Sequence, residues 1–316
     1  RPFAWYDLPS IIRHRDGMIC LNQRDKLTHG NPWGIASVVS RLQPSAESVT
    51  AVVESSDSST CLISQVLHKT GDRSARLNFL VIGNSSGLHE VLELWDYLNG
   101  KAGEMGALNV LAEVSESSPV FESLRKTGFS PYGWEAAWKL PKKISVTSDT
   151  EHEWTIALPT DEPQLRSLYH SLVPPIVQAA EAFSNGGTRR LVYRENDEIV
   201  AFVESSTGPN GLYLRPLIHP AVLDISTLLN ALISQFNNIG QPVYLQERSY
   251  QAWLLNTLEI IGGESSNHFT LLVKHLAILQ RNGVIITNGK LVNNRQAEPT
   301  APMASHLSVD DPPSPH

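Results

Sequence analysis

Apolar and polar positions divide the chain into two runs of elements that follow the same order. Val49–Val53 is β-branched, Thr60–Leu67 alternates with period two, and Arg76–Ile82 forms a third strand. Ser55–Ser59 and Thr70–Asp72 supply the polar turns between them. Leu88, Val91, Leu92, Trp95 and Leu98 then recur at helical spacing, and Leu108–Val114 reads as a strand. Ser118-Pro119 opens a short helix, serine as N-cap and proline at the first helical position, with Val120, Phe121 and Leu124 inward and Gly128 as its stop. Tyr132–Leu140 closes the first run.

The second run begins with strands Thr188–Arg194 and Glu198–Glu204 around an Asn196-Asp197 turn, then Gly211–Ile218. Asp224 caps a helix striped by Ile225, Leu228, Leu229, Leu232 and Ile233. Val243–Gln246 is a strand, Ser249 opens a helix carrying Trp253, Leu254, Leu258 and Ile261 that Gly262 ends, and Phe269–Val273 is the last strand. A shift of 134 positions, the separation of Glu113 from Glu247, also lays Trp95 on Leu229, Leu98 on Leu232, Ser115 on Ser249, Leu124 on Leu258 and Gly128 on Gly262. The expectation is two similar units: an N-terminal domain over 1–145, a C-terminal domain over 150–278, and a short extension with a proline-rich disordered tail over 279–316. Each unit's final strand is expected to return antiparallel beside its own Leu108–Val114 or Val243–Gln246 strand.

The composition fits this layout. Of 316 residues, 41% are hydrophobic and 18% charged, the balance of a folded rather than a disordered chain. The net charge of -7 argues against a nucleic-acid or anionic-membrane partner, and no apolar run approaches the ~18 residues of a membrane span. Residues 1–145 carry fifteen basic and fifteen acidic side chains, so the whole excess of acid lies beyond them. Arg13, Arg15 and Asp16 interrupt the N-terminal apolar residues, so no signal peptide is visible. Cys20 and Cys61 alone make no disulfide framework, and the default is a reducing cytoplasm. No pair of histidines stands at metal-ligand spacing, and neither a G-x-S-x-G elbow nor a Walker loop occurs. Arg189, Arg190 and Arg194 form a small basic cluster that reads as an exposed sheet face.

A three-strand meander, a helix, a strand, a helix ending in glycine and a last strand together resemble the GNAT acyltransferase superfamily. The resemblance is strongest over Asn109–Val114 and over Ser118–Phe129 with its Leu-Arg-Lys-Thr-Gly-Phe ending, and it recurs from Pro242 to Gly263. It implies a mixed α/β fold of two tandem GNAT-like domains, each a mostly antiparallel sheet flanked by helices. It also implies acetyl-CoA or another acyl-CoA as cofactor and a small-molecule amine as acceptor. In the family the strand before the long helix parts from its neighbour, the cofactor's pantetheine arm lies in that gap, and its pyrophosphate sits on the helix N-terminus. Carried onto this chain, the cofactor positions are Val81, Ile82, Gly83, Asn84, Ser85, Ser86 and Gly87 in the first half, and Leu217, Ile218 and His219 in the second.

The chain departs from the family's pattern in two ways. Neither half has the Gln/Arg-x-x-Gly-x-Gly/Ala loop. Gly83–Gly87 is either an anion cradle or a serine-capped strand-to-helix turn, and Asp224 would repel a pyrophosphate. The short-helix tyrosine that often protonates the leaving thiolate is replaced by Leu124 and Leu258. Glu113 and Glu247, at matching strand exits, and Glu204, at the end of a meander strand, are the candidate bases. Two readings follow: an acyl-CoA-dependent N-acyltransferase with degenerate cofactor loops, or a catalytically inactive tandem protein that binds a ligand or partner.

Overall fold

One mixed sheet runs through both halves of the chain in a computed structural model that describes residues 1–4, 7, 13–14, 17–30, 46–54, 61–82, 88–141, 153–183, 189–236 and 239–276. The Gly83–Gly87 segment and the proline-rich tail lie outside the described residues. Residues 1–278 form one compact unit.

The first half comprises β1 (Met18–Cys20), α1 (Gln23–His29), β2 (Ala46–Glu54), β3 (Cys61–Lys69), β4 (Ser74–Ile82), α2 (Leu88–Glu104), β5 (Asn109–Val114), α3 (Pro119–Lys126) and β6 (Ser130–Lys139). The second half comprises β7 (Thr155–Ile156), α4 (Glu162–Leu172), α5 (Pro175–Ala180), β8 (Arg189–Glu195), β9 (Glu198–Gly208), β10 (Gly211–Ile218), α6 (Ile225–Ser234), β11 (Val243–Arg248), a 3-10 segment Ser249–Leu254, α7 (Leu255–Ile260), β12 (Glu264–Ser265) and β13 (Phe269–His275). The chemistry of the ends is local. Ser118 Oγ accepts from Val120 N at 3.3 Å with Pro119 at the first position, and Asp224 Oδ1 accepts from Thr227 N at 3.0 Å. Gly128 and Gly262 end the paired helices at φ +91° and +86°, a conformation that favours glycine.

The strands run β2-β3-β4-β5-β13-β6-β11-β10-β9-β8-β7, with β1 added beside β4 and β12 beside β6. Among the described residues only β4–β5 and β10–β11 pair in parallel, and the other strand pairs are antiparallel. The order departs from the sequence expectation at its centre. β13 pairs with β5 of the first half, and β6 pairs with β11 of the second, so the two halves exchange their final strands. Leu272 of β13 packs into the first core, with Leu94, Trp95 and Leu98 of α2. Ala136 and Trp138 of β6 pack into the second, with Leu228, Leu229 and Leu232 of α6. Alternation along a strand specifies which side chains face in but not which of two equivalent neighbours supplies the partner backbone, so the exchange is invisible to periodicity.

Two docking contacts tie the halves across the opposite face. The backbone at the end of α5 meets the start of the first half's parallel pair: Ser74 Oγ donates to Ala180 O at 2.7 Å and Asn109 Nδ2 to Ala179 O at 3.0 Å. The end of α1 meets the β9–β10 turn, where Asn210 N donates to Thr28 O at 2.8 Å. Gly208 permits that approach, because a Cβ there would lie 2.3 Å from Thr28 O.

Candidate functional site

In the first half β4 and β5 pair over Ser74↔Asn109, Ala75↔Val110 and Arg76↔Leu111 and then part. The opening is filled by the chain itself. β1 lies antiparallel on β4 through Met18↔Val81, Ile19↔Leu80 and Cys20↔Phe79. Leu21 then bridges both strands, its N–H donating to Asn78 O at 2.9 Å and its carbonyl accepting from Glu113 N at 3.0 Å. Its side chain, 1% exposed, belongs to the first core. Val81 is buried under this added strand and Ile82 is half-buried.

In the second half β10 and β11 pair over Leu212↔Val243, Tyr213↔Tyr244 and Leu214↔Leu245. Beyond that point the Gln251 carboxamide hydrogen-bonds β10's backbone: Oε1 accepts from Ile218 N at 3.1 Å and Nε2 donates to Pro216 O at 2.9 Å. This explains a break in the expected Ser249–Gly262 helix. Gln251 leaves helical geometry at φ -124°, ψ 27°, and its side chain, 3% exposed, turns back to the strand. Trp253, expected inward, is left partly exposed by the resulting change of phase. The space that remains beside Leu217, Gln246 and Tyr250 is about 70 Å³, far below the ~300 Å³ of a small ligand pocket. Leu217 and Ile218 are buried, and His219 is a turn residue whose Nδ1 accepts from Ala221 N at 3.2 Å.

These observations bear on how a pantetheine arm fits the described strands. A pantetheine arm needs free backbone groups on the parted strand, and in both halves the chain already satisfies such groups. Leu124 and Leu258, where the family often has its tyrosine, are fully buried core residues.

The face of the sheet turned away from α2, α3, α6 and α7 is lined with charge. Glu181, just past α5, accepts from Arg76 Nη2 at 3.0 Å, from Arg248 Nη1 at 2.9 Å and from Tyr132 OH at 2.5 Å. The two guanidiniums hold its carboxyl well below the usual range despite burial. Glu135 of β6 contacts Arg248 Nε at 2.9 Å and accepts from Gln246. Burial, together with the charge of Glu113, pushes it up to about 7. Sequence reasoning did not single out Arg76, Glu135, Glu181 or Arg248. Each sits in an otherwise ordinary strand or helix end, and only the sheet order brings them together.

The three candidate bases fall in different settings. Glu113 is tied to Arg76 Nη1 at 3.1 Å and to Gln23 N at 2.5 Å. Glu204 is clamped between Arg190 Nε, at 3.0 Å, and Arg215; burial raises its pKa, but these cations win and lower it, which disfavours a general base. Arg190 is therefore no exposed sheet residue: it is 6% exposed and also pairs with Glu162. Glu247 does not share a face with Glu113. Glu113 alternates with Leu111 toward the polar face, whereas Glu247 alternates with Leu245 into the second core. It is fully buried, neither oxygen accepts a hydrogen bond among the described residues, and burial pushes it up to about 7, opposed only by the nearby Trp138 indole.

Beside the polar network, between α1, β4 and the β9–β10 hairpin, lies a cavity of about 470 Å³. Arg24, Arg76 and Arg215 line it, with Ser206 on its polar wall. Among the described residues no group of His, Cys, Asp and Glu is arranged to hold a metal ion, and no helix is long and apolar enough to cross a membrane.

No family model and no curated protein matches the chain. Solved structures do. A GCN5-related N-acetyltransferase from Sphaerobacter thermophilus superposes with a TM-score of 0.54 at 14% identity, covering 87% of this chain and 94% of that one. A tandem GNAT protein from the clavulanic acid biosynthesis pathway has a TM-score of 0.49 at 13% identity over 87% and 97% of the two chains. A GCN5-related N-acetyltransferase from Kribbella flavida has 0.49 at 11% identity over 76% and 96%. The first of these, with the element order of each half, identifies the fold as that of the GNAT acetyltransferases: a large, mostly antiparallel sheet flanked by helices.

Proposed function

We propose that this chain is a tandem GNAT-type protein that has given up acyl-CoA chemistry and serves as a small-molecule binding protein. One observation carries the reading: in both halves the backbone beside the parted parallel strands is hydrogen-bonded by the chain itself, through Leu21 in one and Gln251 in the other. Those are the groups that would receive a pantetheine arm. Displacing Leu21 would uncover core, and displacing Gln251 would leave Pro216 O and Ile218 N unpaired, at about 1–3 kcal/mol for each buried polar group. The candidate bases point the same way, because Glu113 and Glu204 are held by arginines and Glu247 faces the helix-side core.

The test is direct titration of the full chain with acetyl-CoA, followed by calorimetry and by thermal shift. The expected result is no heat and no change in Tm up to millimolar cofactor. Binding with a Kd below about 100 μM would restore the N-acyltransferase reading, since such a ligand at tenfold excess stabilises by about 1.4 kcal/mol.

A further inference from the structure

Arg24 has no counter-ion. It projects from α1 into the 470 Å³ cavity, and among the described residues no carboxylate, carbonyl or hydroxyl pairs with its guanidinium. The other two arginines on the wall are occupied. Arg76 gives its terminal nitrogens to Glu113 and Glu181, and Arg215 binds Glu204. Glu113, the carboxylate whose charge acts on Arg24, is held by Arg76 and Gln23 N, and Glu181 is saturated by Arg76, Arg248 and Tyr132. Arg24 is thus a half-buried cation beside two more cations, and its pKa is pushed down to about 10, first by loss of solvent and then by Arg76 and Arg215. A second polar group nearby is also unsatisfied. Tyr213, 1% exposed, has a hydroxyl with no partner among the described residues.

An unpaired guanidinium crowded by two others in a half-buried cavity is relieved when an anion completes it. Along the lining Arg24, Lys69, Arg73, Arg76 and Arg215 outnumber Asp25, Asp72 and Glu181, so the cavity is locally cationic in a protein whose net charge is -7. Guanidinium forks match planar or tetrahedral oxyanions through paired N–H donors. A cavity of this volume holds a metabolite-sized molecule, and Ser206, which shares the polar face with Glu204 and Tyr213, offers a hydroxyl to a polar body.

We infer that the cavity between the halves is a binding site for a small polar molecule that presents an oxyanion, carboxylate or phosphate, to Arg24, with Arg76 and Arg215 flanking it. This rests on the binding-protein reading but is tested separately, because it concerns Arg24 and the inter-half cavity rather than the strand gaps.

The experiment is a thermal-shift series on the full chain with inorganic phosphate, with succinate, and with sodium chloride at matched ionic strength, for wild type, Arg24→Met and Arg24→Lys. One of the two oxyanions should raise the wild-type Tm by roughly 5 °C at a hundredfold excess over its Kd, beyond the chloride control. Whichever acts identifies the head group. Arg24→Met should melt at or above the wild-type temperature without anion, because an unpaired cation has been removed, and should lose the oxyanion response. Arg24→Lys should keep a weakened one. Two results would overturn the inference: phosphate and succinate acting no differently from chloride on wild type, or Arg24→Met retaining the full response. An acetyl-CoA response that Arg24→Met leaves intact would count against the binding-protein reading alone, and loss of the phosphate or succinate response would count against the Arg24 site alone, so the two failures are distinguishable.

Discussion

Glu247→Gln separates a buried carboxyl that burdens the fold from one that works in it. The side chain sits at 0% exposure and accepts no hydrogen bond among the described residues, and burial, opposed by the nearby Trp138 indole, raises its pKa from an ordinary 4.5 to about 7. Below pH 4.5 it is protonated folded and unfolded, and it costs nothing through ionisation. Between pH 4.5 and 7 the unfolded chain releases a proton that the native state retains, so this group's contribution to stability falls as pH rises. Above pH 7 the loss is complete, at about 3 kcal/mol. Glutamine has the same shape and no such titration. Urea unfolding of both proteins at pH 5 and pH 8 should therefore show Glu247→Gln gaining on wild type by about 2 kcal/mol across that interval, with the variant ahead at pH 8. A stability difference that is the same at both pH values would refute the argument, and would mean that Glu247 has a partner or solvent access that keeps it an ordinary carboxylate.

Two further outcomes test the architecture. Gln251→Leu removes both side-chain bonds to β10 and should lower stability by about 1–3 kcal/mol in urea unfolding, because Pro216 O and Ile218 N are left buried and unpaired; a neutral result would deny that this side chain closes the gap. Residues 1–145 expressed alone lack β13, which leaves facing edges of β5 and β6 unpaired, so gel filtration and circular dichroism should show an aggregated, dimeric or unfolded fragment that co-expression with 146–278 rescues. A monomeric, cooperatively folding 1–145 fragment would count against the exchange of strands.

The elements were legible where side chains signal locally. Gly211–Ile218 is a strand at the boundaries its pattern implies, and Asp224, Ser118, Gly128 and Gly262 cap or stop helices as their chemistry requires. The 134-residue shift lays β5 on β11 residue for residue, yet it misleads about Glu113 and Glu247, which face opposite sides of the sheet. A shift of sequence preserves strand position but not facing, and one residue of slip reverses every side chain. Gln251 read as an ordinary helical residue, and nothing local distinguishes it. Its role depends on where β10 stops pairing with β11. Arg24 and the short helix that carries it were not singled out from the sequence. Only the docking of α1 onto the β9–β10 hairpin encloses it.

The exchange of β6 and β13 also has a physical cause in the polar face. Both strands alternate in the same way, and hydrophobic burial alone would accept either pairing. The charges do not. Glu135 on β6 meets Arg248 and Gln246 of β11, and Glu181 of the second half meets Arg76 and Tyr132 of the first. Return of β6 to the side of β5 would carry Glu135 toward Glu113, whose charge already raises its pKa, and would leave Arg248 without that carboxylate. Removing one partner from a buried pair costs about 3–5 kcal/mol, whereas an intact pair contributes little net stability. The network therefore acts through the alternative it penalises: it selects the exchanged register over the closed one. Holding the halves in that register keeps α1 against the β9–β10 hairpin and the cavity at Arg24 formed. Rescue of the 1–145 fragment by 146–278 should accordingly fail when Glu135 and Glu181 are both changed to Gln, even though every apolar contact is kept.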